Sequence, residues 1–259
     1  MELTLGDVQT TALIPLAIKA NEKKRPKARI SDQMAVKIID ALGIDTKPYD
    51  KFMSHEGVVA RTVMLDRMLK ERLEKNPQSV VANLGCGFDN RFERVDNGKI
   101  LWFDIDLPDS IAARKKAFPE RERVAMLPCD VLKKDWTENI PKDKNLILLA
   151  EGLFMYFTME EIKRLLENIK AAFAHGTLIA EQNCKMMVKN QKYHDTVKST
   201  KAVFKSGTDS GQEIADLVPG FKLVEERSFN EEMKKHSIRG KLFAALLPKI
   251  NDRWAVFEW

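Results

Sequence analysis

The sequence predicts an α/β fold in which a seven-stranded, mostly parallel sheet follows an N-terminal helical arm. From Ser79 onward, short apolar runs alternate with helical stretches, which is the pattern of right-handed βαβ units. Residues 1–76 lack this alternation and carry helical periodicity instead. The chain has 259 residues, so we expect the arm (1–76) and the sheet-containing core (77–259) to form a single domain.

Three helices are expected in the arm. The first covers Thr11 to Ala20, a largely apolar stretch that only Pro15 interrupts. In the second, Asp32 to Leu42, apolar side chains recur every four residues, and Gly43 follows as a helix terminator. The third helix extends from His55 to Lys75.

Seven apolar runs predict the strands of the core. These runs are Ser79–Leu84, Ile100–Ile105, Val124–Leu127, Asn145–Ala150, Thr177–Glu181, Phe221–Ser228 and Arg253–Trp259. The clearest helix between them is Met159 to Phe173, with apolar side chains at helical spacing. The polar stretch at about 185–205 is expected to be a helical insertion over the carboxyl edge of the sheet, where ligands bind in such folds.

Composition and charge exclude several classes of protein. The net charge of +5 is mild and not concentrated in one segment, which argues against a nucleic-acid partner. No run approaches the ~18–20 apolar residues of a membrane span, and the N-terminus lacks signal-peptide features. The three cysteines are widely spaced, so they fit neither a disulfide framework nor a zinc site. We therefore expect a cytoplasmic protein without a metal site or a membrane partner.

The strongest local signal is a glycine turn after the first strand. Gly85 and Gly87 allow a tight turn and let a ligand approach the backbone closely. The second strand ends at Asp106, where a carboxylate can accept hydrogen bonds from both ribose hydroxyls of an adenosine. Asn90 occupies the place of the third glycine of dinucleotide-binding loops, so a phosphate-free cofactor such as S-adenosylmethionine fits better. The alternative is an ordinary turn with a surface acid.

Two further strands also end in acids. Asp130 follows the third strand and could accept the adenine amino group, with the N–H of Val131 facing a ring nitrogen, or it could be a helix N-cap. Glu151 ends the apolar fourth strand, so it should meet a cation or an amine. Arg61 shares the apolar face of the third helix and should point inward to an anion. That anion is either the cofactor carboxylate or an internal partner such as Glu151 or Asp89.

Taken in order, these motifs resemble the leucine carboxyl methyltransferase family, and more closely its bacterial branch of tetracenomycin-type polyketide O-methyltransferases. The resemblance covers nearly the whole chain. The segments that carry it are Thr11-Ala12-Leu13 through Lys19-Ala20, Arg25-Pro26, Val59-Ala60-Arg61-Thr62, Asn83 to Arg91, Phe103 to Pro108 and Ala150 to Tyr156. It implies a Rossmann-like fold of the class I S-adenosylmethionine-dependent methyltransferases, with the last strand antiparallel. The chain departs from the family at Ser31-Asp32-Gln33, where the family more often has Asp-Pro-Tyr.

The resemblance also implies how the cofactor S-adenosylmethionine is held. Arg61 and Lys19 would bind its carboxylate, and Gly85, beside Gly87, would line the methionine moiety. Asp106 would bind the ribose, and Asp130 and Val131 would bind the adenine. Glu151 would close the site.

The same resemblance implies methyl transfer to an oxygen of a small-molecule acceptor, either a carboxylate or a phenol. A carboxylate is ionised at neutral pH and needs no base, whereas a phenol, with a pKa near 10, is helped by one. Candidates for that base are His55, Tyr156, Tyr193 and His194, and we assign no catalytic residue among them. The predicted acceptor pocket contains Met155, Tyr156 and Tyr193. Phe154, Met155, Met186 and Met187 could either accommodate an apolar acceptor or pack in the core.

Three other functions stay open from the sequence. An NAD-type oxidoreductase would also use the glycine turn and Asp106. A non-catalytic binding module could retain the fold, although the intact acids Asp106, Asp130 and Glu151 argue against degeneration. A protein C-terminal carboxyl methyltransferase is less favoured, because the chain lacks obvious extra elements for a large partner. The oligomeric state cannot be predicted.

Overall fold

The computed structural model contains one sheet of seven strands. These are β1 (Val80–Leu84), β2 (Leu101–Asp106), β3 (Val124–Pro128), β4 (Leu146–Ala150), β5 (Thr177–Gln182), β6 (Lys222–Ser228) and β7 (Arg253–Glu258). Their order is β3-β2-β1-β4-β5-β7-β6, and β1 to β5 are parallel. β7 is antiparallel to both β5 and β6. The structure describes residues 9–193, 196, 202–246 and 251–259.

The predicted fold class is confirmed, and each predicted strand agrees with the observed one to within a residue at either end. β7 inserts between β5 and β6, and its first residue, Arg253, pairs with Gln182 at the end of β5. Because β7 is antiparallel, its start lies at the edge of the sheet where the parallel strands end. Asp252, which precedes β7, therefore joins that edge.

Helices cover both faces of the sheet. The helices in the described ranges are α1 (Leu13–Lys23), α2 (Gln33–Leu42), α3 (Phe52–Lys75), α4 (Arg91–Val95), α5 (Pro108–Ala117), α6 (Met159–Ala172), α7 (Lys185–Lys189), α8 (Gln212–Ala215), α9 (Asn230–His236) and α10 (Ile238–Leu246). Side chains alternate between the faces along β1, so Val80 packs in the core that contains α6 and Val81 in the core that contains α3. Burial on both faces explains why the central strands are mostly apolar.

The arm packs on the loop that carries the glycine turn. Leu16 of α1, Ile38 of α2 and Phe88 of that loop belong to one buried cluster. The Asp32 carboxylate accepts the N–H of Ala35 at 3.0 Å and so caps the start of α2. The predicted arm helices are thus present, and they bring α1 against the carboxyl edge of the sheet.

The polar stretch after β5 is only partly helical in its described residues. α7 and a 3-10 turn at Gln191–Tyr193 are short, and residues 202–205 have no regular secondary structure. The N–H of Lys205 donates to the carbonyl of Met155 at 2.7 Å, so this stretch contacts the loop after β4. None of the helices in the described ranges is long and apolar enough to cross a membrane.

Candidate active site

A cavity of about 730 Å³ opens at the carboxyl edge of the sheet, a size typical of small-molecule sites. Its walls come from α1, α3, α9, α10, the loops after β1 to β5 and the residue before β7. Every residue that the sequence assigned to the cofactor lines this cavity. These residues are Lys19, Arg61, Gly85, Gly87, Asp106, Asp130, Val131 and Glu151.

The glycine turn requires its glycines. Gly85 has φ +65° and Gly87 has φ +47°, a region that side chains other than glycine rarely adopt. A Cβ on Gly85 would also lie 2.8 Å from Cδ1 of Leu153. The Gly85 N–H donates to the carbonyl of Ile105 at 2.8 Å, which fixes the turn against β2. The backbone is thereby exposed to the cavity without an intervening side chain.

Asp106 closes the glycine turn from the end of β2. Its Oδ2 accepts the N–H of Gly87 and its Oδ1 accepts the N–H of Leu107, each at 2.8 Å. Burial raises the pKa of Asp106, while these two N–H groups act in the opposite direction. Because each carboxylate oxygen has two lone pairs, the group keeps capacity for a ligand hydroxyl.

Asp130 and Val131 lie at the mouth of the loop after β3. Asp130 Oδ1 accepts the N–H of Leu132 at 3.0 Å, which makes a local turn and not the helix N-cap considered above. The Val131 side chain is buried, and its carbonyl accepts the indole N–H of Trp136 at 3.0 Å. The hydrogen bond from Trp136 therefore fixes the loop, and Asp130 and Val131 line the cavity.

Arg61 points inward from α3, and its neighbours are acids. Its Nη1 donates to both carboxylate oxygens of Glu181 at 3.1 Å, and its Nε lies 3.0 Å from Glu151 Oε1. The Nε–H is not aligned with that oxygen, so it is buried without a hydrogen-bond acceptor. The internal ion pair weighed from the sequence thus exists with Glu151, although not with Asp89. Glu181 is a partner that the sequence did not indicate.

A buried arginine, Arg91, organises the acids behind the glycine turn. It contacts Asp66 at 2.7 Å, Asp89 at 2.6 Å and Glu151 at 2.5 Å, and its side chain is completely buried. Lys19 of α1 pairs with the other oxygen of Asp89 at 2.8 Å. These pairs connect the arm, α3, the glycine turn and β4 in one network.

The two acids that contact Arg61, Glu151 and Glu181, differ in the direction in which their pKa values are shifted. Burial opposes ionisation of Glu151, but the adjacent Arg91 and Arg61 charges hold its pKa below the usual range. Burial raises the pKa of Glu181, and the charge of Arg61 does not fully compensate. Arg61 therefore contacts two buried acids whose pKa values are shifted in opposite directions.

Two of the predicted acceptor-pocket residues, Met155 and Tyr156, line the cavity. The Tyr156 hydroxyl donates to Oγ1 of Thr11 at 3.1 Å, and burial raises the pKa of this tyrosine. Tyr193 ends the 3-10 turn, and its side chain lies outside the described residues, as does His194 altogether. Met187 also faces the cavity.

Three other candidates lie away from the cavity. His55 is buried in the arm, where Nδ1 is 2.5 Å from Asp50 and Nε2 is 2.9 Å from Glu22, so it is excluded as a base for the acceptor. Phe154 packs in the sheet core, and Met186 is half exposed outside the cavity. Helical spacing alone did not separate these residues from those that face the crevice.

Three acids of the cavity wall were missed by sequence reasoning: Glu161 in the first turn of α6, Glu181 and Asp252. Glu181 is the second-to-last residue of β5, and the rule that used the ends of the first four strands could have found it. Its Oε2 also accepts the N–H of Gly152 at 2.7 Å. Asp252 precedes an antiparallel strand, so a search for acids that follow strands could not find it.

The residues present fit S-adenosylmethionine. The buried Nε–H of Arg61 lacks an acceptor, which a carboxylate in the cavity would supply. Asp106 has capacity for a hydroxyl, and the exposed backbone at Gly85 leaves room beside it. No cluster of potential metal ligands occurs among the residues that the structure describes.

A parallel sheet with this strand order, one inserted antiparallel strand and a glycine turn facing acids defines a class I S-adenosylmethionine-dependent methyltransferase. The sequence comparisons agree with that class. The chain belongs to the leucine carboxyl methyltransferase family, whose family model matches residues 12–170.

Individual relatives support the assignment. The chain is 25% identical to the tetracenomycin polyketide synthesis O-methyltransferase TcmP of Streptomyces glaucescens, over 87% of this chain and 84% of the relative. It is 26% identical to an S-adenosyl-L-methionine-dependent methyltransferase of Gibberella zeae, over 88% and 84% of the two chains. A crystal structure from Thermobifida fusca, provisionally assigned as a methyltransferase, has a TM-score of 0.64 at 13% identity and covers 95% and 93% of the two chains. This last likeness concerns the fold.

Proposed function

We propose that the protein transfers a methyl group from S-adenosylmethionine to an oxygen of a small-molecule acceptor, a carboxylate or a phenol. The observation that carries this proposal is that one cavity is lined by all eight predicted cofactor residues and continues past them. The similarity to TcmP, named as an O-methyltransferase, supports oxygen as the methylated atom. Three free thiols, Cys86, Cys129 and Cys184, support a reducing, cytoplasmic location.

In this proposal, residues at the ends of β1 to β4 would hold the cofactor. Asp106 accepts hydrogen bonds from the ribose hydroxyls, and Asp130 with Val131 contacts the adenine. Arg61 and Lys19 attract the cofactor carboxylate, while Glu151 attracts the ammonium group. Arg91 acts behind these residues as a positioning residue, because it fixes Glu151 and Asp89 in place.

When bound, the cofactor supplies a methyl group on a positively charged sulfur. The protein then contributes position and exclusion of water: α1 and the loop after β4 cover the cavity and align the acceptor oxygen. A carboxylate acceptor needs nothing further, whereas a phenol must lose a proton.

The alternatives lose support on specific grounds. The family match replaces the oxidoreductase interpretation, which shared only the glycine turn and Asp106. The acids of the crevice are intact and connected to Arg61 and Arg91, which argues against a non-catalytic module. No feature of the described residues favours a protein C-terminus as the acceptor.

The proposal is tested with S-adenosylmethionine labelled with ¹³C in its methyl group. The protein is incubated with panels of aromatic acids, phenols and amines of similar size, and the products are analysed by NMR. The proposal predicts signals of methyl esters or methyl ethers. Labelled methyl groups found on nitrogen or carbon alone would refute oxygen as the acceptor atom.

Replacing Arg61 with Met tests the carboxylate assignment. We expect the affinity for S-adenosylhomocysteine to fall by about tenfold to a hundredfold, because one charge-assisted hydrogen bond contributes ~1.5–3 kcal/mol. The affinity for methylthioadenosine, which lacks the carboxylate, should change little. Both are measured by calorimetry, and the second ligand also reports whether the variant is folded. An equal loss for both ligands would assign Arg61 a structural role only.

A further inference from the structure

The cavity extends beyond the strand ends assigned to the cofactor. In the sheet, β2 and β3 lie on one side of β1, while β4, β5 and β7 lie on the other. Asp106 and Asp130, to which the adenosine is assigned, therefore lie on the β2–β3 side. The opposite side is walled by Asn183, Met187, Phe229, Met233, Phe243 and Asp252, and we call it the acceptor side.

Charges on the cavity wall disfavour an anionic acceptor. Seven acids line the described cavity, against the three cations Lys19, Arg61 and Lys205. Lys19 is paired with Asp89, Arg61 with Glu151 and Glu181, and Lys205 with Glu161.

Within the described ranges, every cation of the wall thus already has an acid beside it. A second carboxylate, in addition to that of the cofactor, would find no unpaired cation among the described residues of the wall and would lie near the Asp252 carboxylate, and like charges at close range are strongly unfavourable.

Asp252, an acid of the acceptor side, makes few polar contacts with the described residues of the protein. Among the described residues, its carboxylate accepts one hydrogen bond, at 3.3 Å from the N–H of Cys184, and forms no ion pair within 4.0 Å. Its backbone carbonyl accepts the N–H of Phe229, which holds the residue at the edge of the sheet. The carboxylate is therefore positioned yet still available to a ligand.

Asn183, on the same wall, gives a second indication of the ligand. It is 4% exposed, and its Oδ1 has no hydrogen-bond partner among the described residues. A hydroxyl proton could satisfy this oxygen, whereas a carboxylate has no proton to give.

The surroundings of Asp252 suit proton transfer near neutral pH. Burial and then the negative charge of Glu181 raise the pKa of Asp252 to about 7, while the Cys184 N–H, Arg61 and Arg253 act in the opposite direction. A base whose pKa lies near the working pH is the most effective one.

We propose, on the basis of the O-methyl transfer proposed above, that the acceptor is an uncharged hydroxyl group, a phenol or an enol, and that Asp252 is the catalytic residue that accepts its proton. As the proton moves to Asp252, the hydroxyl oxygen forms a bond to the methyl carbon with its lone pair. The carbon–sulfur bond breaks, and its electron pair stays on the sulfur as a neutral thioether. Asp252 then releases the proton to solvent.

The charge argument is tested with 2-naphthol and 2-naphthoate, which share a shape and differ in charge. Affinities are measured by thermal shift and calorimetry on the full chain saturated with S-adenosylhomocysteine, with Asp252→Asn as the variant and the exposed Asp143→Asn as the matched control.

We expect the wild type and the control to bind naphthol more tightly than naphthoate. Asp252→Asn should narrow that preference by about tenfold, because a like charge has been removed. Equal or tighter binding of naphthoate by the wild type, binding of neither compound, or an unchanged preference in Asp252→Asn overturns the proposal.

The proton-transfer argument is tested by pH profiles of methyl transfer. With 2-naphthol, kcat/KM of the wild type should rise with pH to a plateau above about pH 7, since Asp252 must be ionised to accept a proton. In Asp252→Asn, kcat/KM should fall by about 10²- to 10⁴-fold and should no longer rise with pH in this range. The defect should be smaller with 4-nitrophenol, which is a far stronger acid than 2-naphthol and loses its proton more readily, and Asp252→Glu should restore part of the rate.

A structural role for Asp252 would instead reduce transfer to both phenols equally, and that result, or methylation of neither phenol, overturns the proposal. Failure of the wild type to bind S-adenosylhomocysteine would count against the proposed function itself. Failure of the naphthol preference alone would count against this inference only.

Discussion

Replacement of Asp106 by Ala should weaken binding of S-adenosylhomocysteine by about 100-fold or more. Hydrogen bonds to a charged group contribute ~1.5–3 kcal/mol each, and the proposal assigns two ribose hydroxyls to this carboxylate. The substitution also removes the acceptor of the Gly87 N–H at 2.8 Å, so the glycine turn loses its tie to β2. Calorimetric titration of the folded variant measures the loss.

Asp109→Ala is the matched control for this variant. Asp109 is exposed in the first turn of α5 and does not line the cavity. We expect the Asp109→Ala variant to bind S-adenosylhomocysteine with the affinity of the wild type. If Asp106→Ala bound as well as Asp109→Ala, the ribose assignment would be wrong.

Replacement of Arg91 by Met should destabilise the protein by about 3–5 kcal/mol. This is the range for removal of one partner from a buried ion pair, because the remaining charges lose their compensation. Here Asp66, Asp89 and Glu151 all lose a cation within 2.7 Å. Urea-induced unfolding without cofactor, followed by circular dichroism, measures the free energy of unfolding.

Arg123→Met provides the comparison, since Arg123 pairs with Asp96 at 2.6 Å on the surface. Solvent screens such pairs, so this variant should unfold close to the wild-type midpoint. If both variants unfolded at the same urea concentration, the buried network around Arg91 would not be the stabilising element that its geometry indicates.

The fold could be predicted because buried parallel strands leave a simple signal. The central strands are mostly apolar, as in Leu146–Ala150, and glycine or polar residues lie at their ends. The same rule located Gly85, Asp106, Asp130 and Glu151, because the carboxyl ends of parallel strands meet at one edge.

The rest of the site depends on tertiary pairing that spacing does not reveal. Arg91 lies on a five-residue helix, too short for a periodic pattern to indicate which way it faces. Asp252 reaches the crevice only because β7 runs antiparallel between β5 and β6. His55 shares α3 with Arg61, yet Glu22 and Asp50 of the arm hold it away from the cavity.

The central claim is that this crevice binds S-adenosylmethionine, and calorimetric titration of the wild type with S-adenosylhomocysteine and with NADH tests it most directly. We predict saturable binding of one S-adenosylhomocysteine per chain and no heat of binding for NADH at about millimolar concentration, since Asn90 replaces the third glycine of the pyrophosphate loop. Binding of NADH without binding of S-adenosylhomocysteine would contradict the account.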